Sequence, residues 1–288
     1  MSLNILENQL HRVLDKLSNG QTVPYEESWI EEAGEMFKDT LRKQMKPRED
    51  KFRIRMSNVG RPLCQLQREK EGAPKSKNPY NNIVRFMLGD ATEVLVEFYL
   101  KLAGVNITGG KAKVKLDVGD TTILGENDVE IDNKVYDTKS SSPWAYEHKW
   151  SQGWEGVAKD DAFGYVPQLL GYSDASGLEP GGWIVLNKST GEIQIVEAEF
   201  TGADKEKIRD KISNNVNLIA TDAPFEKCFE PQDEYFRKQL TPNKRLAMNC
   251  TFCSYTNTCW PDAKYRPQTH SKAQNPRYHW YAEYDDDL

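Results

Sequence analysis

An α/β fold is what this sequence predicts, on three observations. Apolar residues at helical spacing open the chain, a central stretch alternates in the manner of strands, and helical and strand-like segments then take turns. Over residues 1–45 the apolar positions fall at Leu6, Leu10, Val13, Leu14 and Leu17, then at Trp29, Ala33, Phe37 and Leu41, which predicts helix. Residues 80–103 read as one long helix stopped by Gly104, with Val84, Met87, Leu88, Ala91, Leu95, Phe98 and Leu102 as its expected buried stripe. Residues 111–139 alternate as strands. A second helical stretch is expected over 157–176, where Pro167 either kinks the helix or starts its second half. Residues 183–186 and 192–200 read as strands, and 204–220 as helix. Helix, three strands, helix, two strands is the order of an α/β sandwich.

The 288 residues suffice for one large domain or two smaller ones. No apolar run approaches the ~20 residues of a membrane span, and the N-terminus lacks the basic start and apolar core of a secretory signal. A soluble, cytoplasmic protein with no membrane partner is expected. The net charge of −6 argues against nucleic acid, but its distribution reverses that. Residues 38–77 hold 13 Lys/Arg against 5 Asp/Glu, the footprint of a phosphate-tracking groove. The competing reading is a solvated linker, expected over 72–78. Acidic charge collects in residues 26–35, in a central cluster, and in the tail from Asp285 to Asp287, which is expected to be disordered.

That central cluster is the stretch from Gly125 to Lys139. Asp132-Asn133 fits a two-residue hairpin turn between β-type residues. Pairing then runs Ile131 with Lys134, Val129 with Tyr136, and Asp128 with Asp137. Alternation sends Val129, Ile131 and Tyr136 toward a core, and Glu126, Asp128, Glu130, Asp137 and Lys139 to the other face. Like charges opposed across a ladder are destabilising, so facing carboxylates ask for a cation. All-oxygen ligation suits Mg²⁺ or Mn²⁺, and Lys139 stands ready for an anion held there. The competing readings are an exposed hairpin with ordinary surface charge, or a register slip that swaps the faces.

Other features bear on chemistry. On the long helix Gly89 precedes Glu93 by one turn, which opens space beside a carboxylate able to turn toward the acidic face. Gln168 and Tyr172, also four apart, project an amide and a phenol together. Trp144, Tyr146, His148, Lys149, Trp150 and Trp154 interleave aromatics with cations, which suits base stacking on single-stranded nucleic acid; indoles packing a helix onto the sheet is the competing reading. The run Gly104-Val-Asn-Ile-Thr-Gly-Gly-Lys-Ala imitates a phosphate loop, but it has an extra residue before Lys111 and lacks the Mg²⁺ hydroxyl at Ala112. Of five cysteines, Cys250, Cys253 and Cys259 form a Cys-x2-Cys-x5-Cys cluster and Cys64 lies far upstream. Thiolate-rich sets suit Fe–S clusters or Zn²⁺, while a cytoplasmic setting disfavours disulfides. Cys228 is left over and is expected to be a small buried hydrophobe.

In order and spacing, Gly89 with Glu93, Gly125 with Asp128, Asp137 with Lys139, and Gln168 with Tyr172 resemble the motif set of the RecB-like branch of the PD-(D/E)XK nucleases. That family's helix motif often ends in His where this chain has Glu93, and the short step from Asp128 to Asp137 implies a tight hairpin. Cys64 with Cys250, Cys253 and Cys259, bracketing those motifs, resembles the CRISPR-associated, phage and helicase-linked members, whose four thiolates hold a 4Fe–4S cluster. The resemblance implies a restriction-endonuclease-like core, a central mixed sheet flanked by helices, with the N- and C-terminal segments joined by the cluster. Such a link across nearly two hundred residues is worth on the order of 4–5 kcal/mol by analogy with a cross-link.

One nuclease domain over 1–288 is therefore expected. Its parts are a helical, basic segment (1–79), a catalytic core (80–200), a helix-and-cluster segment (201–265) and a flexible tail (266–288). The implied activity is Mg²⁺- or Mn²⁺-dependent exonuclease cleavage of DNA. A structure-specific or restriction-type endonuclease is the alternative on the same core, and a zinc-holding nucleic-acid-binding module is the non-enzymatic one. Asp128, Asp137 and the Thr138 carbonyl would bind the metal, with Glu93 completing the shell. Lys139 would position or deprotonate water or neutralise charge on phosphorus, and Gln168 and Tyr172 would hold the strand. No helicase motif is present, so unwinding would need another protein.

Overall fold

The computed structural model describes residues 4–46, 51–77, 79–159, 161–274 and 276–286. Four helices come first: α1 (Ile5–Ser18), α2 (Glu27–Met45), α3 (Leu63–Lys70) and α4 (Asn81–Leu102). Five strands follow, β1 (Ile107–Gly110), β2 (Lys113–Val118), β3 (Thr121–Glu126), β4 (Val129–Ile131) and β5 (Lys134–Ser141). Helices α5 (Pro143–His148), α6 (Gly153–Lys159) and α7 (Tyr165–Ser176) lead to β6 (Glu179–Asn187) and β7 (Ile193–Glu197). Beyond α8 (Gly202–Ala220) come β8 (Gln232–Phe236), β9 (Gln239–Arg245), the short α9 (Met248–Thr251) and α10 (Thr256–Cys259), then β10 (Lys264–Pro267) and β11 (Tyr278–Glu283). No described helix is long and apolar enough to cross a membrane.

Contacts divide the chain into two compact units, residues 1–60 with 79–216, and residues 61–78 with 217–288. Each has its own sheet. In the first unit the sheet order is β1-β4-β5-β6-β7, antiparallel except for the parallel β5–β6 pair. A parallel neighbour needs a crossover, and the segment from α5 to α7 supplies it. Both faces of the sheet are covered. On one, Val129, Ile131, Tyr136, Ile184, Ile193 and Ile195 meet Leu6 and Leu10 of α1 and Val96 and Leu100 of α4. On the other, Val135, Trp183, Val185 and Val196 meet Leu169 and Tyr172 of α7 and Ile212 and Val216 of α8. A helix-flanked mixed α/β sheet is thus the architecture, and successive residues of β5 and β6 serve opposite cores.

Two helices differ from expectation. The buried residues of α4 are Thr92, Val94, Val96 and Leu100, whereas Val84, Leu88 and Leu95 of the expected stripe are exposed. Besides the sheet, α4 packs against α2, with Gln44 Nε2 donating to Asp90 at 2.8 Å, and the covered face does not follow the expected stripe. Pro167 settles in the first turn of α7, where its missing N–H costs no helical bond. The carboxylate of Asp161 caps that turn, accepting the Tyr165 and Val166 amides at 2.7 and 2.9 Å.

The second unit carries an antiparallel sheet, β10-β11-β9-β8, which the helical and turn signals of the sequence did not reveal. Within the stretch 266–288, expected as a flexible tail, β11 forms an inner strand of this sheet, where Tyr281 and His279 bury while Tyr278 stays exposed. Glu234, on the edge strand β8, is buried and accepts hydrogen bonds from Tyr281 Oη (2.7 Å), Thr269 Oγ1 (2.7 Å) and Asn243 Nδ2 (3.0 Å). Burial opposes its ionisation, yet these donors hold it below the usual carboxylate range. In the acidic tail, Asp286 pairs with Lys264 at 2.5 Å, and Asp287 and Leu288 lie outside the described residues.

The Tyr281–Glu234 bond makes the strand assignment testable. Tyr281→Phe should cost about 1–3 kcal/mol, the penalty of leaving a buried acceptor short of a donor, read as a lower denaturant midpoint. A free tail would leave the midpoint unchanged.

Candidate active site and thiol cavity

The site starts from a turn. Asp132 and Asn133 both take left-handed conformations (φ 49° and 60°), the type I′ geometry that matches the twist of a two-residue hairpin. The observed register pairs Ile131 with Lys134 and Val129 with Tyr136, as the sequence predicts. Val129, Ile131 and Tyr136 are buried on one face, so Asp137 and Lys139 emerge on the other. The ladder ends before Asp128, whose carboxylate reaches across to accept the Thr138 amide at 2.8 Å.

Asp137 is 3% exposed, and its Oδ2 pairs with the Lys139 ammonium at 2.5 Å. Burial pushes the carboxyl up to about 6, against the pull of Lys139 and aided by the charge of Asp128. Burial disfavours the charged ammonium of Lys139, yet Asp137 and Asp128 hold its pKa above the ordinary value.

Glu93, on α4, does turn toward this face. Its partner is a residue sequence reasoning set aside with the false phosphate loop. Lys111 Nζ sits 2.5 Å from Glu93 Oε2 and 3.7 Å from Asp128 Oδ1. The loop before it is built for close approach. Gly110 (φ 152°) leaves no room for a Cβ, which would meet the Asp128 carbonyl oxygen at 2.8 Å, and Lys111 itself is left-handed at φ 49°. Its amide donates to the Asn127 and Asp128 carbonyls at 2.9 and 3.3 Å. The legible signal was a lysine after two glycines in a chain with a nearby acidic cluster. Burial, then the charge of Asp128, pushes Glu93 up to about 7 against the pull of Lys111. Glu130 is occupied by Asn127 Nδ2 at 2.6 Å, and the exposed Glu126 lines a cleft of about 240 Å³ with Glu93, Lys111 and Asp90.

On α7, Gln168 and Tyr172 share a hydrogen bond, and burial, then the charges of Asp137 and Asp128, pushes the Tyr172 phenol up to about 12. Gly125 is what lets that ring approach, since a Cβ there would lie 2.8 Å from Tyr172 Cε1 and 2.6 Å from Met56 Cβ. Space beside Gly89 is open, with only Ser140 Oγ at 3.9 Å from an added Cβ. Glu93, Asp128, Asp137, Thr138, Lys139, Gln168 and Tyr172 therefore gather around β5.

The aromatic set divides. Trp150 is buried, Trp154 packs on Trp183 and Phe200, and Tyr146 lies against the same core, which is the packing alternative. Lys149 is also buried, 5.1 Å from the Tyr165 ring centroid. Trp144 remains exposed and stacks on His148 at 4.9 Å. The basic stretch is locally neutralised at several points: Lys38 pairs with Glu35, Arg42 with Asp39, Arg68 with Glu71 and Lys70 with Asp222. Residues 47–50 and 78 of that stretch lie outside the described residues.

In the second unit Cys64, Cys250, Cys253 and Cys259 line one cavity, as free thiols. Cys228 lines it too, exposed rather than buried as expected, because residues 223–228 are strapped against α3. Gln67 Nε2 donates to the Ala223 and Pro224 carbonyls (3.0 and 2.9 Å), and the Arg68 guanidinium lies 3.5 Å over the Phe225 ring.

Both sites suit metals by donor chemistry. Glu93 and Asp128 already share the Lys111 ammonium as a stand-in cation, and Asp137 is buried with only Lys139 paired to it. Among the described residues no three carboxylate, thiol or imidazole groups converge into a ready cage. Lys111→Met would remove the stand-in. In chelator the variant should lose about 1–2 kcal/mol, a buried-pair cost discounted for partial solvation. Millimolar Mg²⁺ or Mn²⁺ should restore more stability to it than to the parent, as thermal unfolding with and without metal would show.

No family model and no curated protein matches the chain. Among solved structures, the one described as "Crystal structure of SSO0001" superposes with a TM-score of 0.43 at 14% identity, over 78% of this chain and 94% of that chain.

Proposed function

We propose that the protein is a metal-dependent deoxyribonuclease with a RecB-like PD-(D/E)XK core, acting as an exonuclease on DNA ends. The observation that carries this reading is the gathering of Glu93, Asp128, Asp137 and Lys139 at the end of β5, with Gln168 and Tyr172 beside them. Motif residues scattered over some eighty positions of sequence share one site.

In this reading Asp128, Asp137, the Thr138 carbonyl and Glu93 hold one or two Mg²⁺ or Mn²⁺ ions. When bound, the metal supplies Lewis acidity that acidifies water and offsets charge on the scissile phosphate. Lys111 neutralises Glu93 and Asp128, and would give up that role were a divalent ion held there. Lys139, held charged by Asp137, donates toward the attacking water or the phosphate oxygens. Tyr172 keeps its proton at neutral pH and, with the Gln168 amide, offers donors to a strand's phosphate. The exposed Trp144–His148 stack offers an aromatic face to a single-stranded base.

Cys64, Cys250, Cys253 and Cys259 hold a 4Fe–4S cluster in this reading. Its role is structural, tying the segment at residue 64 to the C-terminal third. Free thiols fit a reducing, cytoplasmic setting, and a phage or CRISPR-type DNA-processing role fits the same site.

Asp137→Ala should reduce hydrolysis by at least about a thousandfold, the scale of losing a principal catalytic group, while DNA binding measured by gel shift persists. Retained cleavage would sink the assignment. A covalently closed circle should survive the enzyme intact; its cleavage would make the protein an endonuclease on the same core. The purified protein should be brown with broad visible absorption, whereas a colourless protein containing zinc would replace the cluster.

A further inference from the structure

The fifth cysteine is not accounted for by a four-thiolate site. Cys228 is placed at the thiol cavity from two sides. The strap of residues 223–225 binds it to α3, the helix that carries Cys64, and Lys227 Nζ lies 3.6 Å over the ring of Trp260, the residue after Cys259. The Cys64 amide, in the first turn of α3, donates to Cys228 Sγ at 3.0 Å. Cys64, Cys228, Cys250, Cys253 and Cys259 all line the one cavity.

We propose that Cys228 belongs to the metal-binding thiol set and shares one coordination position with Cys64, either thiolate completing the set begun by Cys250, Cys253 and Cys259. This rests on the thiolate-site reading above and adds a fifth, exchangeable ligand to it. A four-thiolate set has one position beyond Cys250, Cys253 and Cys259, and the Cys64 amide holds Cys228 Sγ beside Cys64 at that position. A cluster with a spare ligand survives loss of one thiolate, and the exposed position of Cys228 lets that exchange take place at the solvent edge of the cavity.

The test reconstitutes the full-length protein anaerobically with iron and sulfide, and in a parallel arm with Zn²⁺. Bound metal, acid-labile sulfide and visible absorption are then measured for the wild type, Cys64→Ser, Cys228→Ser and the double variant. Each single variant should keep about half or more of the wild-type metal and the double variant about a tenth or less, as expected when three thiolates cannot replace four. Loss in Cys64→Ser alone to the level of the double variant overturns the proposal, as does retention in the double variant. A wild type that takes up neither iron–sulfur nor zinc overturns the thiolate-site reading itself, a result that needs no variant.

Alkylation of the loaded wild type followed by mass spectrometry covers variants that do not fold. Molecules modified at Cys64 or at Cys228, but not at both, support the exchange. Full modification of Cys228 with full protection of Cys64 contradicts it.

Discussion

The first unit depends on a turn of two residues. With Asp132 and Asn133 both left-handed, β4 and β5 can pair in one register, and that register assigns every side chain of β5 to a face. Tyr136 enters one core and Val135 the other, while Asp137 and Lys139 reach the end of the strand on the side of α7. A slip by one residue would turn Val129 and Ile131 to the polar face and bury charge in their place. Burial of Val129, Ile131 and Tyr136, worth about 1.5–3 kcal/mol per large apolar side chain, therefore also holds the carboxylates in position.

Charge compensation is the second constraint. Asp137 is buried and Glu93 and Asp128 face each other, an arrangement with a desolvation cost that needs positive charge nearby. Two lysines provide it, Lys139 for Asp137 and Lys111 for the other pair. The raised pKa values of Glu93 and Asp137 mark how incompletely they do so. In the proposed reading, this residual electrostatic frustration in a partly open cleft suits a cation and an anionic substrate.

Much of this was legible in the sequence where spacing has one structural meaning. The Asp-Asn turn, the alternation around it and the four-residue steps of Gly89–Glu93 and Gln168–Tyr172 each imply a definite geometry, and each is found. Long-range placement was less legible. On α4, Val84, Leu88 and Leu95 keep the apolar period yet stay exposed, because periodicity does not say which face a partner layer covers. Lys111 belongs to no periodic pattern; its position follows from a left-handed loop that only the folded chain displays. The C-terminal sheet was hidden in part because its edge strand buries a carboxylate, Glu234, where a hydrophobic pattern would look for an aliphatic residue. Cys228 was misread because a lone cysteine carries no spacing, whereas the strap that brings it to Cys64 is made of backbone carbonyls and a stacked arginine.

The central claim is that the end of β5 hydrolyses phosphodiesters with the help of a divalent metal. Its most direct test is digestion of 5′- and 3′-end-labelled single- and double-stranded DNA in Mg²⁺, Mn²⁺ or chelator. Labelled nucleotides or short products released progressively from one end, and only with metal present, are the predicted result. DNA left intact in both metals, or cut equally well in chelator, would contradict it.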